Sequence, residues 1–236
     1  MGRLARIALL AGTAALAAVA PGPAAARAQA PHPVVGAGSI EVPRLVVRAA
    51  PTPRARVVAR LSEFREQDFR PRPVLALAAR RDLQGRPAWY RIAVPGRPNG
   101  RTGWVRAAHV RISPVRWQIV VRRDARRLEL WRDGRLDFST TVAVGAPGTE
   151  TPLGTFQVTH RFTPRRYPFL GAFAFETSAY SKLSEWPGGG VVGLHGTPQP
   201  WLLGRAVSHG CIRISNAAAG YLKRRVPVGT PIHIVR

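Results

Sequence analysis

The sequence holds one cysteine in 236 residues, Cys211, set in the run Ser208-His209-Gly210-Cys211-Ile212-Arg213. A second histidine, His195, stands sixteen positions before it in Gly193-Leu194-His195-Gly196-Thr197. A lone thiol beside a glycine, with imidazoles ahead of it, is what a cysteine nucleophile requires. The thiolate is the reactive form, so a base must take the proton or a positive site must hold the charge. Gly210 leaves room beside the sulfur for a substrate backbone, and for main-chain N–H groups turned toward a developing oxyanion. Two other readings use the same residue types. A single Cys is often a small buried hydrophobe. A zinc site from His195, His209 and Cys211 finds no second Cys or nearby acid to complete its ligand set, and no metal is expected.

His195-Gly196-Thr197, followed by Ser208-His209-Gly210-Cys211-Ile212-Arg213 and then Asn216, resembles the active-site signature of the L,D-transpeptidase catalytic (YkuD-type) domain. Thr151-Pro152-Leu153-Gly154-Thr155-Phe156 resembles the Thr-Pro-x-Gly-x-Phe segment that this family carries upstream. The resemblance spans residues 115–236. It implies a β-sandwich with Cys211 as nucleophile, His195 as proton acceptor and donor, and no cofactor. The implied reaction is attack on the peptide bond after the third stem residue of peptidoglycan, typically meso-diaminopimelate, with loss of the terminal D-alanine. The thioester then passes to the side-chain amine of another stem. An L,D-carboxypeptidase would hydrolyse the same acyl-enzyme, and a wall-binding protein would use no chemistry at all.

Supporting roles follow from position. A base needs a group that holds its tautomer, and the Gly196 carbonyl is the candidate because no acid lies near in sequence. If the chain is extended around Cys211, His209 shares its face and could hold positive charge near the sulfur or shape the oxyanion pocket. Ser208 is expected to hold the loop by local hydrogen bonds. Arg213 lies on the same alternating face, and a guanidinium there suits a substrate carboxylate by bidentate pairing. Asn216 and Thr197 complete the expected substrate contacts. Some family members carry Asn two residues after the Cys, where this chain has Arg213.

These residues must be placed by a mainly β chain. Trp117–Arg122, Arg127–Trp131, Leu136–Val144 and Gly154–Thr159 read as strands, with Asp133-Gly134 as a hairpin turn. Residues 161–190 are the least regular stretch, expected to be a long loop roofing the substrate groove. Val191–Leu194 is a strand delivering His195, Cys211–Ile214 another, and Pro231–Val235 closes the sheet. One late helix, 217–225, takes Ser215 or Asn216 as its cap. Upstream, 43–112 carries five short strands between turns, consistent with a small barrel. There Trp89-Tyr90-Arg91-Ile92 and Asn99-Gly100-Arg101-Thr102-Gly103-Trp104-Val105 resemble the closing hairpin of a bacterial Src-homology-3-like domain. Ser113-Pro114 divides it from the catalytic region, 115–236, and the Pro- and Gly-bearing residues 29–42 read as a linker.

Residues 1–28 read as a signal peptide: Arg3 and Arg6, an uncharged run Ile7–Ala20, then Ala26-Arg27-Ala28. That run is shorter than the ~20 residues that span a bilayer, and no Cys near the cleavage point offers a lipid anchor. Export to the periplasm, wall or medium is expected, without a stable membrane anchor and as a monomer. The 36 Lys and Arg against 12 Asp and Glu give a net charge of +24, nearly all of it arginine. The arginines are scattered with no compact recognition segment, so anionic wall polymers, and not nucleic acid, are the expected partners beside stem peptides.

Overall fold

The computed structural model describes residues 31, 33–66, 68–185 and 188–236. The expected signal peptide, 1–28, lies outside the described residues. Seven strands form the N-terminal sheet: β1 (Gly36–Ile40), β2 (Arg44–Arg48), β3 (Val57–Ser62), β4 (Pro73–Arg81), β5 (Pro87–Ala93), β6 (Thr102–Arg106) and β7 (Val110–Ser113). Their order is β3-β2-β6-β5-β4-β1-β7, around a core that includes Leu45, Val47, Ile92 and Val105. The expected linker, 29–42, is corrected here, because it contains β1, paired with both β4 and β7. A Cβ on Gly38 would stand 1.6 Å from the Arg111 carbonyl oxygen and one on Gly36 2.3 Å from that of Ser113. β1 and β7 approach too closely for side chains at these positions, so the strand carries the small-residue composition of a linker.

The C-terminal half adds ten strands: β8 (Trp117–Arg122), β9 (Arg127–Arg132), β10 (Arg135–Thr141), β11 (Val144–Gly145), β12 (Gly154–Phe162), β13 (Ala174–Tyr180), β14 (Val191–His195), β15 (Ala206–Ser208), β16 (Ile212–Arg213) and β17 (Pro231–Val235). The one α-helix among the described residues, α1 (Asn216–Lys223), lies between β16 and β17. Strand order is β10-β9-β8-β17-β12-β13-β14-β16, with β11 and β15 paired separately. β12 turns this ladder into two layers. Gly154–Gln157 pair with β17, while Val158–Phe162 pair with β13. Both layers and the buried face of α1 close on one core, in which Phe175, Leu194, Ile212, Ile232 and Leu222 are fully buried. The β9–β10 hairpin turns at Asp133 (φ 48°) and Gly134 (φ 77°), the two positive φ values that a tight hairpin turn favours.

The expected long loop over 161–190 is also corrected. β12 runs through Phe162, and Ala174–Tyr180 is β13, an internal strand between β12 and β14. Its alternate residues Phe175, Thr177 and Ala179 are buried, an inward set that the surrounding aromatics and glycines hide in sequence. The two halves meet through Arg65. Its guanidinium pairs with Glu176 on β13 at 2.8 and 3.0 Å and donates to the Thr159 carbonyl at 3.0 Å.

Phe175 sits on β13 next to the strand that delivers His195, and it is fully buried. Phe175→Ala is expected to lower unfolding free energy by roughly 3–5 kcal/mol, the range for large-to-small aromatic changes in cores. A urea-melt midpoint checks this.

Candidate active site

β14 and β16 run parallel, with Leu194 opposite Ile212 and His195 opposite Arg213. Partners in a parallel pair share a face, and successive residues alternate. Leu194 and Ile212 point into the core. Gly193, His195, Cys211 and Arg213 therefore share the other face. Continuing the register by one residue sets Cys211 beside Gly193, whose N–H donates to Cys211 Sγ at 3.3 Å. A Cβ on Gly193 would lie 3.5 Å from His195 Cδ2 and 3.7 Å from Cys211 Sγ. The missing side chain is thus the space that thiol and imidazole share.

His195 Nδ1 lies 2.6 Å from the Gly196 carbonyl oxygen. A carbonyl only accepts, so Nδ1 carries the hydrogen. Nε2, the ring nitrogen bonded to Cδ2, then keeps its lone pair. His195 is 3% exposed, and this burial pushes its pKa down to about 4. The Gly196 carbonyl resists that shift, the Arg213 charge adds to it, and the Leu170 carbonyl resists it. Burial pushes the Cys211 thiol up, while the Gly193 N–H and the Arg213 charge pull it back. At neutral pH the pair therefore rests as thiol and neutral imidazole.

Hydroxyl groups hold the backbone around the sulfur. The Ser208 carbonyl accepts from Thr149 Oγ1 at 3.0 Å, and the His209 carbonyl from Ser181 Oγ at 2.8 Å. The Gly210 carbonyl accepts from Thr151 Oγ1 at 2.8 Å, and the Cys211 carbonyl from Ser208 Oγ at 2.6 Å. Thr151 is fully buried and also accepts from the Gly145 N–H at 2.9 Å, joining this loop to β11. Thr149, Thr151 and Ser181 have no place in the sequence reading as holders of the loop. Thr151 at the head of the Thr-Pro-x-Gly-x-Phe segment is their only sequence trace.

The structure brings Cys211, His195, Gly196 and Arg213 together, and Ser208 makes local bonds within the loop. Other expected residues fall elsewhere. The chain is not extended at Gly210, where φ is +118°, so strand alternation does not carry His209 to the face of Cys211. The His209 side chain is exposed, and its carbonyl is what the Ser181 hydroxyl holds. The Gly210 N–H is not open to an oxyanion, since it donates to Ser208 Oγ at 3.2 Å. The side chains of Asn216 and Thr197 both bond to the backbone. Asn216 Oδ1 accepts from the Ala172 N–H at 2.9 Å, and Ser215 caps α1 by accepting from the Ala218 N–H at 3.1 Å. Thr197 is buried and accepts from the Gln199 N–H at 3.1 Å. Among the described residues no three His, Cys, Asp or Glu side chains gather as a metal-ligand set.

A family model described as the L,D-transpeptidase catalytic domain (YkuD) matches residues 116–234. A Bacillus subtilis protein named "Putative L,D-transpeptidase YkuD" is 32% identical over 170 residues, covering 72% of this chain and 90% of that protein. Its namesake from Bacillus licheniformis is 34% identical over 120 residues, 51% of this chain and 66% of that one. Among solved structures, an L,D-transpeptidase from Mycobacterium tuberculosis H37Rv aligns over 70% of this chain and 90% of that one, with 16% identity and a TM-score of 0.47.

Two outcomes are expected from this geometry. Thr151→Val leaves the Gly210 carbonyl and Gly145 N–H without their hydroxyl, so stability should fall by about 1–3 kcal/mol in a denaturant melt. His195 has a folded pKa of about 4 against an ordinary value of 6.5, so the unfolded chain binds the extra proton between them. Its contribution is fully present above pH 6.5 and falls by about 1.4 kcal/mol per pH unit down to pH 4. Melts across that range should show the slope, and His195→Gln should lose it.

Proposed function

The chain belongs to the L,D-transpeptidase catalytic-domain family, and on that premise we propose that it cross-links peptidoglycan stems through an acyl-enzyme on Cys211. One observation supports the mechanism: the Cys211 sulfur and Cδ2 of a tautomer-fixed His195 both border the empty side-chain space of Gly193. A resting neutral pair does not need a stored thiolate. As Sγ attacks the carbonyl carbon after the third stem residue, its proton passes to Nε2. The imidazolium so formed is favoured by the Gly196 carbonyl, which accepts from Nδ1–H. That proton then goes to the departing D-alanine amine, the C–N bond breaks, and a thioester remains on Cys211. The side-chain amine of a second stem attacks the thioester, His195 takes the amine proton, and the thiol is restored by its return to Sγ.

Arg213 has two effects in this scheme. Its charge favours the developing thiolate and opposes the imidazolium, as the shifts at both groups indicate. It is half-buried, and among the described residues no carboxylate pairs with it. A substrate carboxylate bound there would neutralise the guanidinium and ease protonation of His195, so binding and proton transfer would support one another. The N-terminal sheet is read as the Src-homology-3-like module that its β5–β6 hairpin resembles. Export and attraction to anionic wall polymers complete the proposal, supported by the net charge of +24 and by the family's action on the wall.

The test is incubation with a tetrapeptide-stem disaccharide and mass spectrometry of protein and products. A cross-linked dimer with loss of D-alanine is expected, absent in Cys211→Ala and His195→Ala. Tripeptide without dimer would make the protein a carboxypeptidase, and no adduct on Cys211 would overturn the enzyme reading for this substrate. Arg213→Gln should raise KM about tenfold or more, as expected for loss of a charged hydrogen bond.

A further inference from the structure

The loop between β5 and β6 reaches the catalytic half through two side chains. Arg97 donates from Nη1 to the Gly189 carbonyl at 2.8 Å, and from Nη2 to the Ser181 carbonyl at 2.8 Å and the Leu183 carbonyl at 3.3 Å. Its guanidinium carbon lies 4.7 Å from the centre of the Tyr180 ring. Asn99 donates to the Tyr180 carbonyl at 2.7 Å and accepts from the Tyr180 N–H at 3.0 Å, the two-bond exchange of a neighbouring strand. Gly190 gives Arg97 its space, since a Cβ there would stand 2.6 Å from Nη2. The main chain that follows β13 is thus bound by the N-terminal half, and charge-assisted bonds of this kind are stronger than neutral ones.

Ser181 carries that hold to the site. Its carbonyl accepts from Arg97, while its hydroxyl donates to the His209 carbonyl at 2.8 Å. Gly210 packs directly on it, because a Cβ at that position would lie 3.0 Å from both Ser181 Cβ and Oγ. One residue separates this contact from the Cys211 backbone. We propose that Arg97 and Asn99 are positioning residues for Cys211, acting from the N-terminal sheet through Ser181. The N-terminal half then sets the rate of the reaction, beyond any part it has in binding or spacing. This rests on Cys211 being the nucleophile.

The experiment compares Arg97→Ala, Arg97→Lys, Ser181→Ala and the Arg97→Ala/Ser181→Ala double variant in the full chain. Steady-state transfer on the tetrapeptide-stem disaccharide is read together with amide hydrogen exchange of peptides covering 207–212. Arg97→Ala should lower kcat about tenfold or more with KM within about twofold, and Arg97→Lys should recover part of the loss. Exchange at 207–212 should quicken about fivefold or more in both single alanine variants, while β8 and β9 stay unchanged. In the Ser181→Ala background, adding Arg97→Ala should change kcat by less than about twofold, because the route is already cut. An unchanged kcat, additive losses, or a loss of kcat without faster exchange at 207–212 would each overturn the proposal. A wild-type protein without turnover would instead sink the transpeptidase reading, and the exchange comparison would still decide whether Arg97 holds this loop.

Discussion

Four consecutive carbonyls, those of Ser208 to Cys211, each accept a hydrogen bond from a different hydroxyl. The catalytic half depends on that constraint. A sulfur atom has no directional preference strong enough to fix itself, so its place is set by the backbone that carries it. Here the donors come from separate parts of the chain. Thr149 and Thr151 lie in the connection between β11 and β12, Ser181 follows β13, and Ser208 ends β15. A change in how the two layers pack would move at least one donor, and the loop would lose part of its hold. Buried carbonyls without partners are costly, so the fold and the site are stabilised by the same bonds.

Burial also sets the electrostatics. It raises the thiol and lowers the imidazole, which separates their proton affinities and leaves both groups neutral at rest. An ion pair in the same place would carry the desolvation of two charges before substrate arrived. A neutral pair avoids that cost. Asn216 supports the same region, since its side-chain oxygen accepts from the Ala172 N–H, two residues from the Leu170 carbonyl beside the His195 ring.

The candidate site was legible in the sequence because its parts are local. Cys211, Gly210 and Ser208 lie within four positions, and the Gly196 carbonyl is adjacent to the histidine that it orients. Strands with clear alternation were equally legible, and β8 coincides with the expected Trp117–Arg122. What was hidden depends on tertiary approach. β1 looks like a linker because β7 lies too close for side chains at Gly36 and Gly38. β13 looks like part of a loop because its inward residues are flanked by exposed aromatics such as Tyr167 and Phe169. Ser181 and Arg97 carry no pattern at all, and Thr151 stands in a recognisable segment without its role showing, since a hydroxyl or a guanidinium declares its role only through the carbonyl it meets. The bond from the Ala172 N–H to Asn216 Oδ1 is hidden for the same reason, since the two residues lie far apart in sequence.

The parallel pairing of β14 with β16 has a consequence for quality control of folding. Along β16 reactive and core residues alternate, so a slip of one position would turn Ile212 outward and drive Cys211 and Arg213 into the core. A one-residue slip therefore cannot leave the thiol in place over a faulty interior. A chain that has mispaired this strand is silenced by the same error that would make it unstable. Two residues of strand thus tie the exposure of the thiol to the soundness of the interior.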